Sequence, residues 1–98
     1  MANRALAVQA NVGNKPEVDA LFDQVLAAFG RLDIHVNNAG IQTWKPLLEL
    51  TENEWDRVLN VNLKGCFLCT QRAALSMKDS GGGSIVNTAS VAGMVAER

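Results

Sequence analysis

Histidine occurs once in these 98 residues, cysteine twice and tyrosine not at all, and aromatic residues make up only 5% of the chain. With His35 as the single histidine and Cys66 and Cys69 as the only cysteines, no four-ligand zinc set is available. A hydrolytic serine needs a base within hydrogen-bond reach, and His35 falls inside an expected strand, away from the candidate serine discussed below. Cys66 and Cys69 form a C-x-x-C, which in a redox protein opens a helix so that the dipole lowers the thiol pKa. Here the pair lies in the interior of an expected helix, so both residues read as small apolar groups on a packed face. No apolar run is long enough to cross a membrane, and Met1 to Val12 carries no signal-peptide pattern, so the expected setting is the cytoplasm. Nine basic and ten acidic residues are scattered along the chain for a net charge of −1, which gives no electrostatic case for nucleic acid or an anionic membrane.

What is present is 48% hydrophobic and fits one small domain with a thin margin of stability. Ala5 to Ala10 reads as a short strand. Asn14 then stands as a helix cap, with Pro16 in the first turn and Glu17 three residues after the cap. Apolar residues at 18, 21, 22, 25, 26 and 29 mark one helical face, and Gly30 ends it. Leu32 to Val36 reads as a second strand, short and apolar enough to be buried between helices.

Thr51 to Glu54 forms a capping box for a long helix to Met77. Its expected apolar stripe runs through Trp55, Val58, Leu59, Leu63, Cys66, Phe67, Thr70, Ala74 and Met77. Asn62 interrupts that stripe with an amide that must find hydrogen-bond partners. Asp79 to Gly83 is a glycine-rich link, and Ser84 to Ala89 is the third strand, with Ser90 at its carboxyl end. Strand, helix, strand, helix, strand is an α/β order that right-handed crossovers turn into a parallel sheet.

In such sheets ligands bind at the carboxyl ends of the strands. There stand Asn37-Asn38-Ala39-Gly40, two residues tolerant of unusual backbone followed by two with almost no side chain, against which another molecule can lie. This stretch resembles the NNAG signature of the short-chain dehydrogenase/reductase family. Two further motifs follow in the family's order: Val61-Asn62-Leu63-Lys64-Gly65, then Ile85-Val86-Asn87-Thr88-Ala89-Ser90 with Val91-Ala92-Gly93. The resemblance covers essentially the whole chain and includes ketoacyl-carrier-protein reductases and glucose 1-dehydrogenases.

The resemblance implies a single partial NAD(P)-binding Rossmann domain over residues 1–98, a doubly wound parallel sheet without its first two strands and its C-terminal part. It implies hydride transfer between a nicotinamide dinucleotide, NAD or NADP, and an alcohol or ketone. By position, Asn38, Ala39 and Gly40 would lie along the cofactor, and Asn11 and Val12 would meet its adenine, with Asn11 in place of the commoner aspartate. Asn62 would hold a water in the proton relay, and Ser90 would hydrogen-bond the substrate oxygen. No metal is implied.

The family's glycine-rich turn after its first strand has no counterpart here, since Gly81-Gly82-Gly83 precedes a strand rather than opening a helix. The tyrosine and lysine that carry the proton would follow Ser90. The expectation is therefore a partial gene or internal fragment, inactive and marginally stable alone, of a parent that oligomerises through helix 51–77. The alternative is a truncated relative serving as a binding or dimerisation fragment. An unrelated flavodoxin-like nucleotide binder fits the strand–helix order but not the three motifs. With two strands missing, Ala5–Ala10 and Leu32–Val36 must either pair directly or leave bare edges.

Overall fold

A computed structural model describes residues 5–41 and 45–88. Helix α1 spans Lys15–Phe29. Its start is the expected one: Asn14 is extended and its side chain accepts from Glu17 N at 3.1 Å, while the Glu17 carboxylate reaches back to Asn11 N. Its end is Gly30, left-handed at φ 85°, whose N–H closes on Leu26 O at 2.8 Å. Of the expected apolar face, Val18 and Phe22 are buried, whereas Phe29 at the far end is exposed.

The long helix begins on the capping box as read. Thr51 Oγ1 accepts from Glu54 N at 3.2 Å, and Glu54 Oε1 accepts from Thr51 N. It runs as α2 (Glu52–Leu59), a π-helical segment (Asn60–Lys64) and α3 (Gly65–Asp79). The widened middle turn puts a straight 3.6-residue count out of step. Leu68, Cys69, Ala73 and Met77 face inward, and Leu63 and Phe67, expected on the packed stripe, are exposed.

Two parallel strands follow from the crossover through α2 and α3: β1 (Ile34–Asn37) and β2 (Ser84–Asn87), paired Ile34↔Ser84 to Asn37↔Asn87. The parallel α/β class is thus realised, but Ala5–Ala10 forms no strand. A strand exists only through ladder partners, and the doubly wound order places two other strands between this segment and β1. The bare edge, rather than direct pairing, is the outcome. The reading of Leu32–Val36 as buried on both faces is corrected as well. Helices cover one face only, so Ile34 and Val36 are 64% and 52% exposed while His35 and Asn37 turn inward.

The core is the layer between α1, α3 and that inner face. Val18, Phe22, Leu68, Cys69, Ala73 and Met77 form it, with Val12, Leu21, Leu32 and Ile85 packed at its margin. Arg72 on α3 ties the helices together by pairing with Asp23 at 2.9 Å and lying over the Phe22 ring. A Cβ at Gly65 would stand 2.6 Å from Val12 Cγ2, so a bare residue there is what lets the Asn11–Val12 segment lie against the helix. No helix among the described residues is long and apolar enough to cross a membrane.

Candidate functional site

Both strands end in polar residues at the same level. Asn37 faces Asn87 across the ladder, and its Nδ2 donates to Asn87 Oδ1 at 2.8 Å. One step further, Thr88 Oγ1 donates to Asn38 Oδ1 at 3.0 Å, and Thr88 N to Asn37 O at 3.1 Å. Asn37 Nδ2 also donates to Thr70 Oγ1 on α3 at 3.0 Å. With its nitrogen so used, Asn37 presents its oxygen to His35 Nε2 at 2.7 Å, so that ring nitrogen carries the proton and donates. Cys66 Sγ completes the inner side by donating to Asn87 Oδ1 at 3.4 Å.

Beyond the strand ends, Asn62 sits in the π-helical segment and reaches across to the chain after Gly40. Its Oδ1 accepts from Ile41 N and its Nδ2 donates to Ile41 O, both at 2.8 Å. This one backbone unit supplies a partner to each polar atom of the amide. The side chain is exposed rather than buried, because the wide turn carries it out of the packed layer.

Between these ties lies a cleft of ≈ 480 Å³ bounded by Asn38, Ala39, Gly40, Ile41, Asn62 and Thr88. Behind it, a cavity of ≈ 230 Å³ is lined by Val12 together with Asn38, Ala39 and Asn62. The structure therefore brings Val12, Asn38, Ala39, Gly40 and Asn62 together. Asn11 stands apart, on a neighbouring cleft with Arg57 and Asn60, and its Oδ1 is engaged by Gly13 N at 2.9 Å. Ser90 lies outside the described residues. In the loop that follows Gly40, Leu48 is 97% exposed.

Sequence reasoning missed Thr70, Asn87, Thr88 and Ile41. Asn87 and Thr88 stood in the third motif without a role, and the signal for one was that two parallel strands each end in Asn, at 37 and at 87. The cysteines are free thiols, Cys69 buried and Cys66 half-buried. Burial, and then the neighbouring Cys66, push the Cys69 thiol up from its ordinary pKa. Among the described residues no group of three or more side chains could hold a metal ion.

The family described as short chain dehydrogenase matches residues 1–98. A (2S)-[(R)-hydroxy(phenyl)methyl]succinyl-CoA dehydrogenase subunit of Thauera aromatica is 49% identical over 88 residues, 90% of this chain and 36% of that protein. The 3-oxoacyl-[acyl-carrier-protein] reductase FabG of Staphylococcus aureus is 45% identical over 91 residues, 93% of this chain and 37% of the reductase. In three dimensions, a crystal structure from Sinorhizobium meliloti 1021, assigned as a short-chain alcohol dehydrogenase, superposes with a TM-score of 0.90 at 36% identity. That likeness covers 96% of this chain and 37% of the other. The chain thus spans a little over a third of the length of the relatives it matches.

Proposed function

This chain belongs to the short chain dehydrogenase family, and we propose that it is part of an oxidoreductase that transfers hydride between NAD or NADP and a small alcohol or ketone, working in the cytoplasm. The observation that carries this reading is the convergence of Asn38, Ala39, Gly40 and Asn62 on one cleft at the carboxyl ends of two parallel strands. The residues bounding that cleft suit the phosphate-free nicotinamide end of such a cofactor. Among the described residues they bring amides, a hydroxyl and bare main chain, and no carboxylate that would repel a ligand carrying phosphates. A Cβ at position 40 would stand 3.4 Å from Asn62 Oδ1, so glycine leaves that space open.

The dinucleotide, when bound, supplies or accepts the hydride. The chain's own residues orient and hydrogen-bond. Asn38 and the Ala39–Gly40 main chain would form the surface on which the cofactor rests, and Asn11 and Val12 would meet its adenine. Asn62 fixes the Ile41 backbone through both polar atoms of its amide and keeps one lone pair of Oδ1 for a water in the proton relay. Ser90 would hold the substrate oxygen, and residues outside these 98 would move the proton.

A second reading, a binding or dimerisation fragment, is favoured by one observation. Trp55, Leu59, Leu63 and Phe67 recur every four residues along the outer face of α2, the π-helical segment and α3, all exposed. In the oxidoreductase reading the same stripe would join two copies of the parent enzyme.

Sequencing the coding DNA on both sides tests the choice. The oxidoreductase reading expects a glycine-rich strand–helix turn upstream and a tyrosine, with a lysine one helical turn later, downstream. Stop codons closing the frame on both sides would overturn it in favour of the partner-binding fragment.

A further inference from the structure

The three residues assigned to the cofactor surface, Asn38, Ala39 and Gly40, are held at both ends by one continuous helical column. Just before them, Asn37 Nδ2 donates to Thr70 Oγ1 on α3 at 3.0 Å. Just after them, the Ile41 backbone is gripped by Asn62 in the π-helical segment, at 2.8 Å in both directions. From these two ties we infer that Thr70 is a positioning residue for the cofactor surface, acting through Asn37; this rests on the proposed use of the cleft.

Asn37 has no free amide hydrogen. Its oxygen faces His35 Nε2 at 2.7 Å, and its nitrogen serves Asn87 at 2.8 Å as well as Thr70. Thr70 and Asn37 are both half-buried, and Thr70 directly follows the buried Cys69 on α3. In that setting an amide hydrogen left without an acceptor is costly, so the carboxamide orientation, and with it the direction in which the chain leaves β1, follows the hydroxyl. The second tie cannot substitute for the first, because Asn62 fixes only the far end of the three-residue span.

The test compares Thr70→Val, which keeps the β-branched shape and loses the acceptor, with Thr70→Ser, which restores it. Backbone amide hydrogen exchange is read residue by residue on the isotope-labelled 98-residue chain. The expected result is exchange roughly tenfold faster in Thr70→Val at Ile41 and Thr88, whose N–H groups bond Asn62 Oδ1 and Asn37 O. The ladder amides of His35 and Val86 should be unmoved, and Thr70→Ser should return to the wild-type pattern. Unchanged rates at Ile41 and Thr88, equal loosening at His35 and Val86, or loss of the fold in Thr70→Val would each overturn the inference. Titration with NADH and NADPH is a separate readout. Weaker binding in Thr70→Val, restored in Thr70→Ser, supports the inference; a wild-type chain that binds neither overturns the use of the cleft, while the exchange pattern still decides what Thr70 does.

Discussion

Asn62 holds Ile41 by both main-chain polar groups at once, its oxygen accepting from the N–H and its nitrogen donating to the C=O, each at 2.8 Å. The two residues stand 21 positions apart in sequence with the loop that follows Gly40 between them, so one side chain fixes where that loop begins. An amide does this with a separate donor and acceptor, whereas a carboxylate has no donor and an aliphatic chain has neither group.

Replacing Asn62 by Ala is accordingly expected to lower stability by about 1 kcal/mol, with water partly replacing the lost bonds at this exposed site. Asn62→Asp should do no better than Ala, because its second oxygen would face the Ile41 carbonyl. Urea unfolding of the three chains checks the ranking; an Asp variant as stable as wild type would show that the donor half of the pair contributes nothing.

Gly65→Ala sets two effects against each other. Alanine favours the helix by about 1 kcal/mol, but its Cβ would meet Val12 Cγ2 at 2.6 Å, and overpacking costs roughly 1–3 kcal/mol. Net destabilisation is expected, recovered in the double variant Gly65→Ala/Val12→Ala. A thermal melt in which Gly65→Ala is the more stable chain would refute the close approach of Val12.

The start of α2 should respond to acid. The Lys45 hydrogen bond, followed by that of Thr51, holds the Glu54 carboxyl below the usual glutamate range. A folded pKa below the unfolded one stabilises above the ordinary glutamate pKa and is lost as pH falls through the folded value. The first turn of α2 is therefore expected to fray as pH falls below the ordinary glutamate range, and Lys45→Ala to move the transition upward. Titration of the Thr51 and Glu54 amide shifts measures both; a midpoint indifferent to Lys45 would contradict the assignment of cause.

The two thiols should separate chemically. Cys69 is buried with a raised pKa, whereas Cys66 is half-buried beside Asn87. Iodoacetamide should label Cys66 first, and Cys69 only at higher pH or in denaturant. Because the folded pKa of Cys69 lies above its unfolded value, stability should fall as pH rises past the ordinary thiol range, about 8.5. Equal labelling of both at neutral pH, read by mass spectrometry, would count against this.

The elements legible in the sequence are those whose signals are local. Asn14 and Gly30 bracket α1, and Thr51 with Glu54 starts α2, because caps act within four residues of themselves. Ala5–Ala10 carries a strand's composition, but strand formation depends on neighbours elsewhere in the sheet, and local pattern is silent about them. The π-helical segment escaped because a 3.6-residue count assumes an unbroken helix. At the site, the positions of Asn38 to Gly40 and of Asn62 could be read from motifs. Their ties could not, since Asn62 meets Ile41 across 21 residues and Asn37 meets Thr70 across 33, contacts that only the finished packing creates.

The central claim is that these residues can serve as the strand-end half of a nicotinamide-dependent active site. The most direct measurement replaces the matching 91-residue span of the Staphylococcus aureus 3-oxoacyl-[acyl-carrier-protein] reductase, 45% identical, with the corresponding residues of this chain. Oxidation of NADPH or NADH by the chimera is then followed with a 3-oxoacyl substrate. The account expects a folded chimera that turns over, and loses at least about tenfold in kcat when Asn62 becomes Ala. A chimera that folds and binds the cofactor no better than an empty control, or turns over equally well without Asn62, would contradict it.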